Sequence, residues 1–97
     1  MMDTTVHYFN SNVPPAEFKY VTSFYCHPWL RHIVRGDDDI NVKEASVIYQ
    51  CRISVPGNNR HFSPFIIRSP SEKQSLDCLN HLKNYLYEVS LDWESWF

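Results

Sequence analysis

Ala45-Ser46-Val47-Ile48-Tyr49-Gln50-Cys51-Arg52-Ile53-Ser54-Val55, followed by Pro56-Gly57-Asn58-Asn59, is the stretch on which the reading of this chain turns. Val47, Tyr49, Cys51, Ile53 and Val55 alternate with Ser46, Ile48, Gln50, Arg52 and Ser54. The first set is apolar and the second mostly polar. A period of two in such residues predicts a strand over 45–55 with one buried and one wetter face, as in an antiparallel sheet. Gly57, Asn58 and Asn59 tolerate positive φ, so the chain reverses there and 60–68 returns as the partner strand. Pro64 has no backbone donor, which places that strand at an edge or gives it a bulge.

Working toward the N-terminus, Glu17–His27 alternates Phe18, Tyr20, Thr22, Phe24 and Cys26 with Lys19, Val21, Ser23, Tyr25 and His27. This predicts a strand over 17–27, ended or bulged by Pro28. A short strand over 4–9 precedes it, ended by Asn10-Ser11-Asn12 and Pro14-Pro15. Residues 29–35 fit either a further strand or a short helical turn, and Gly36-Asp37-Asp38-Asp39 fits a turn.

Toward the C-terminus, Ser69-Pro70-Ser71-Glu72 has the form of a capping box. Ser69 is the N-cap, Pro70 the first helical residue and Glu72 the reciprocal partner. Leu76, Leu79, Leu82, Leu86 and Val89 then recur at helical spacing, predicting a helix over 70–89 with that stripe inward. Burying five such side chains contributes roughly 1.5–3 kcal/mol each before entropy costs. The helix is therefore expected to serve folding. An aromatic tail over 90–97 follows. Strands first and a helix last predict an α+β fold: an antiparallel meander of four to five strands with one C-terminal helix packed on one face.

The 97 residues are enough for one domain, 1–97, and one core. With 43% apolar and 21% charged residues the composition is that of a globular chain rather than a disordered one. A net charge of -2 supplies no general attraction to nucleic acid or anionic membrane. No run approaches the ~18 apolar residues of a membrane span, and Met1-Met2-Asp3-Thr4-Thr5 lacks the basic and apolar segments of a secretory signal. Three cysteines, Cys26, Cys51 and Cys78, are an odd number without repeating spacing, so free thiols in the cytoplasm are expected rather than a disulfide scaffold.

For metal chemistry the nearest approach to a knuckle is Cys78 with His81, three residues apart, and no second pair matches it. Cys26 and His27 are adjacent and would point to opposite faces of a strand, which does not make a nucleophile and base. Two glycines, Gly36 and Gly57, cannot build a phosphate-cradling loop. No catalytic residue, metal, cofactor or small-molecule substrate is therefore expected. Arg31, Arg35, Arg52, Arg60 and Arg68, interleaved with aromatic residues, would suit a sheet that stacks bases, but without an RNP-like motif they read first as solvated charges.

Protein binding has more support. Asp37, Asp38 and Asp39 concentrate negative charge on one turn, and Asp92 and Glu94 do so around Trp93, Trp96 and Phe97. Carboxylates steer a basic partner and aromatic anchors supply buried area. The run Val47-Ile48-Tyr49-Gln50-Cys51-Arg52-Ile53, the capped segment Ser71-Glu72-Lys73-Gln74-Ser75-Leu76-Asp77-Cys78-Leu79, and the size, acidity and strand-then-helix order together resemble the small bacterial immunity proteins of polymorphic and contact-dependent growth-inhibition toxin systems. The resemblance spans most of the chain and transfers no individual residue. It implies a cytoplasmic, non-enzymatic inhibitor that binds one cognate toxin, often a nuclease, and occludes its active site or substrate surface. A phage-encoded inhibitor of a host defence nuclease would use the same physics. A small nucleic-acid-binding module built on the sheet arginines is the reading from another class.

Overall fold

A computed structural model describes the backbone of residues 5–57 and 63–95, with side chains as far as Glu88. Among the described residues, β1 (Val6–Phe9), β2 (Tyr20–Phe24), β3 (Arg52–Val55) and β4 (Phe65–Ser69) form one antiparallel sheet in the order β1-β3-β4-β2. Helices α1 (Arg31–Arg35), α2 (Ile40–Ile48) and α3 (Glu72–Ser95) join it, with single 3₁₀ turns at Pro15–Glu17 and Pro28–Leu30 and a tight turn with left-handed backbone over Asp37–Asp39. The α+β class and the four strands stand, while the single expected helix becomes three. A sequential meander is not the pairing. Only β3 and β4 are neighbours both in sequence and in the sheet, and β1 and β2 flank them on opposite edges. Alternation shows which residues are extended but not which strands pair. The loop over 10–19 is long enough to cross the roughly 14 Å between the two edges.

The segment expected as one strand over 45–55 is a helix, a turn and a strand. Residues 45–48 close α2, and only 52–55 are extended. The physical reason is a competing period. Val42, Ala45, Ser46 and Tyr49 stand at helical spacing. Val42 and Ala45 are fully buried and Ser46 nearly so, whereas Val47 and Ile48 face outward. Gln50 ends the helix at φ 52°, and the Cys51 N–H donates to the Ser46 carbonyl at 3.1 Å, the six-to-one bond of a Schellman turn. Residues 29–35 are likewise helical rather than extended. Pro64 precedes β4 without costing a ladder bond, so β4 is a central strand, not an edge.

The long helix also starts and turns differently from expectation. Ser71, not Ser69, is its cap: Ser71 Oγ accepts from the Gln74 N–H at 3.2 Å and meets Gln74 Oε1 at 2.8 Å. Ser69 is the last residue of β4, fully buried, with Oγ 2.5 Å from Ser75 Oγ. Ser75 in turn donates to the Tyr20 carbonyl at 3.2 Å. The helix continues past 89 to Ser95. Its buried line is Ser75, Cys78 and Leu82, with Leu79, Tyr85 and Leu86 packed beside it, and Leu76 is 43% exposed. Small Ser and Cys side chains let the helix axis approach the sheet on that side, which a stripe of leucines alone did not show.

Register divides the sheet into two faces, because residues paired across antiparallel strands point the same way. One face carries Val55, Phe65 and Phe24, then Ile53 and Ile67. These pack with Val34 of α1, Val42 and Ala45 of α2, and Cys78 and Leu82 of α3. The rings of Phe24 and Phe65 stack at 4.9 Å. The other face carries Phe9, Arg52, Arg68 and Val21 in one row, and His7, Ser54, Ile66 and Ser23 in the next.

Candidate functional site

The acidic turn between α1 and α2 is built by backbone that most residues avoid. Gly36 has φ 76°, Asp38 52° and Asp39 61°. A side chain at Gly36 would meet Asn41 at 2.7 Å, and the Asn41 amide is already engaged, donating to the Ile33 carbonyl at 3.2 Å. Asp enters the left-handed region more readily than most residues, so the Asp run suits this turn locally.

The three carboxylates part company here. Asp39 turns inward. It accepts from Arg35 Nε at 2.6 Å and from Arg35 Nη2 at 2.9 Å, and it accepts the Tyr8 hydroxyl from β1. These Arg35 hydrogen bonds hold the Asp39 carboxyl below the usual carboxylate range. The Tyr8 hydroxyl is pushed above its ordinary value, first by its hydrogen bond to Asp39 and then by burial. Asp39 is thus a tie between the turn, α1 and β1. Asp37 and Asp38 stay exposed.

These two carboxylates stand at the approach to α2, whose outer side is apolar. Ile40 is 49%, Val47 62% and Ile48 59% exposed. Their spacing of i, i+7 and i+8 puts them on one stripe with Lys43 and Glu44, which are also exposed. Lys43, Glu44, Val47 and Ile48 line a shallow depression. Sequence reasoning missed this surface because the alternation in 45–55 assigned Val47 to the core. The signal that finds it is the helical period of Val42, Ala45, Ser46 and Tyr49.

Of the aromatic tail, Asp92, Trp93 and Glu94 lie in the backbone of α3, with their side chains outside the described part. Trp96 and Phe97 lie outside the described residues. The most exposed aromatic among the described residues is Trp29, at 80%, edge-on to His27 at 4.9 Å.

The arginines divide by role. Arg31 is buried and donates to the Gly57 carbonyl at 2.7 Å, fastening α1 to the end of β3. Arg35 is held by Asp39. Arg52 and Arg68 oppose each other on the sheet face away from the helices, and Arg60 lies outside the described residues.

All three cysteines are buried and free. Cys51 Sγ and Cys78 Sγ are 3.3 Å apart. The Cys51 contact and burial push the Cys78 thiol far above its ordinary range. His81 is not turned to Cys78. Its ring joins Tyr49 Oη at 3.0 Å to Tyr85 Oη at 3.2 Å. Cys26 is buried while the adjacent His27 is exposed. Among the described residues no three His, Cys, Asp or Glu side chains gather as a metal site would require, and no helix is long and apolar enough to cross a membrane. Comparison with protein families, with curated proteins and with solved structures finds no match for this chain.

Proposed function

We propose that this chain is a non-enzymatic protein-binding inhibitor: an immunity protein that acts in the cytoplasm on a cognate bacterial toxin with a basic, nuclease-type surface. The observation that carries the reading is the outer side of α2, where Ile40, Val47 and Ile48 stand exposed in one stripe beside Asp37 and Asp38. An exposed apolar stripe next to unpaired carboxylates suits docking on a basic protein. The charges steer the encounter, and the apolar side chains are buried once contact is made. The mechanism is occlusion. Asp37 and Asp38 meet the arginines or lysines with which a nuclease grips phosphates, through charge-assisted hydrogen bonds. The apolar stripe of α2 lies over the ground next to them, and no covalent step is involved.

The test is co-expression with each toxin domain encoded beside the gene, reading growth, together with binding of the purified proteins. The wild-type chain should bind and protect. The Val47→Glu/Ile48→Glu variant should keep its thermal unfolding curve, since both positions are exposed, and lose both binding and protection. A wild-type chain that binds and protects against none of these toxins refutes the inhibitor reading, and full protection by the double variant removes α2 from the interface.

A further inference from the structure

The sheet face turned away from the helices has a composition unlike the rest of the surface. One registered row crosses the whole sheet as Phe9, Arg52, Arg68 and Val21, and the next row is His7, Ser54, Ile66 and Ser23. Lys19 extends the β2 ladder by one residue, its N–H donating to the Ser69 carbonyl at 3.1 Å, and alternation puts it on the side of Val21. Tyr25, just past the other end of β2 and 65% exposed, falls on that side by the same alternation. Neither row contains an acidic residue. Phe9 is 57% and Val21 59% exposed, so both ends of the first row are open.

Arg52 and Arg68 are directly opposite each other on adjacent strands. Like charges so placed destabilise a sheet. Among the described residues neither is in an ion pair, and Arg52 Nε is buried with no acceptor. The contrast with Arg35 is sharp, since that guanidinium is held by both carboxylate oxygens of Asp39. Two arginines paired in register in an acid-free row, with exposed rings at both edges of the sheet, are left to find an anionic partner outside the fold.

We propose that this face binds single-stranded nucleic acid, with Arg52, Arg68 and Lys19 taking phosphates while Phe9 and Tyr25 offer ring faces to unstacked bases. Single strands supply both the regularly spaced anions and the free π-faces such a surface uses. A duplex does not fit. Its major groove admits a helix or a two-stranded ribbon, and a flat four-stranded face roughly 14 Å across presents neither. An acidic peptide would answer the arginines but leave the rings without a use. The surface is separate from the outer stripe of α2, because α2 packs on the opposite face of the sheet, so the inference stands independently of the inhibitor reading.

The experiment is fluorescence anisotropy of a short labelled oligouridylate and its oligodeoxythymidylate counterpart with the full chain and no toxin present. Both should bind at low salt. With three phosphates neutralised, a tenfold rise in salt should weaken binding about 125-fold. Arg52→Gln/Arg68→Gln should abolish most of the affinity and flatten that salt dependence. Arg52→Lys/Arg68→Lys, which keeps the charge and serves as the folding control, should retain binding within a few-fold. Phe9→Ala should weaken binding without changing the salt slope. A duplex of the same length should bind more weakly than the single strands. Absence of binding at low salt, undiminished binding by the Gln variant, or tighter binding of a polyglutamate peptide than of either oligonucleotide would overturn the proposal, the last by making the face a protein-docking surface.

Discussion

Arg35 clamps Asp39 through both carboxylate oxygens, Nε to Oδ1 at 2.6 Å and Nη2 to Oδ2 at 2.9 Å, one helical turn apart in sequence. Both side chains are mostly shielded, at 22% and 15% exposure. Asp39→Asn keeps the left-handed backbone tolerable but removes the charge and turns one acceptor oxygen into an NH2 donor facing Arg35 or Tyr8, so it should cost about 1–3 kcal/mol in chemical denaturation. The pH dependence follows from the depressed Asp39 carboxyl. Its contribution should be fully present above the unfolded carboxyl value of about 4 and should be lost as pH falls through the lower folded value. Tyr8, whose hydroxyl is raised, acts at the other end. Its contribution should hold below about pH 10 and decline as pH rises from there through the folded value. An Asp39→Asn variant whose acid unfolding matches wild type would show that the pair contributes nothing.

Asp37 and Asp38, exposed and outside that network, should behave in the opposite way. Asp37→Asn/Asp38→Asn should leave stability within about 0.5 kcal/mol. Against a basic toxin it should slow association, with the difference shrinking as salt shortens the roughly 8 Å screening length. Stopped-flow association at two ionic strengths reads this directly, and equal on-rates at both would take the turn out of the interface.

On α3, Leu82 and Leu76 separate the observed buried face from the one that leucine spacing implies. Leu82 is fully buried and Leu82→Ala should cost ~2–5 kcal/mol. Leu76 is 43% exposed, and Leu76→Ala should stay within about 0.5 kcal/mol of wild type. Equal losses in urea titrations would mean that the helix is rotated from the position described.

At the start of α3, Ser71→Ala removes the acceptor for the Gln74 N–H and should cost ~0.5–2 kcal/mol. Thermal unfolding of Ser71→Ala beside Glu72→Ala decides between the observed cap and the one centred on Ser69, in which Glu72 is the reciprocal partner. The Ser71 change should lower the midpoint clearly more than the Glu72 change.

Cys51 and Cys78 sit sulfur to sulfur at 3.3 Å with no solvent exposure, and Cys78 is held as the thiol well above its ordinary range. Since the thiolate is the reactive form, neither should react with an aromatic disulfide reagent while the chain is folded. Labelling should follow the rate of unfolding, and titration in denaturant should return three thiols. Rapid labelling of the native chain would show that this part of the core opens.

The amino-acid sequence by itself determined the α+β class, the reversal after Val55, the extended character of Tyr20–Phe24 and of the return strand as far as Arg68, and the presence of a long C-terminal helix. Each rests on local chemistry: β-branched alternation, a break in it after Val55, where Gly57 itself keeps a negative φ, and a helical leucine period. Tertiary structure decided the rest, because it depends on partners distant in the chain. Val47 satisfies a strand period with Tyr49 and Cys51 and lies opposite a helical period formed by Val42, Ala45 and Ser46. Packing of α2 against β1 and α3 selected the second and turned Val47 outward. The three adjacent aspartates are alike as residues, and only the position of Arg35 and Tyr8 around Asp39 separates a structural tie from two free charges. In the same way nothing local brings Arg52 to Arg68. Their pairing follows from strand register, which is set by the whole buried face of the sheet rather than by either strand alone.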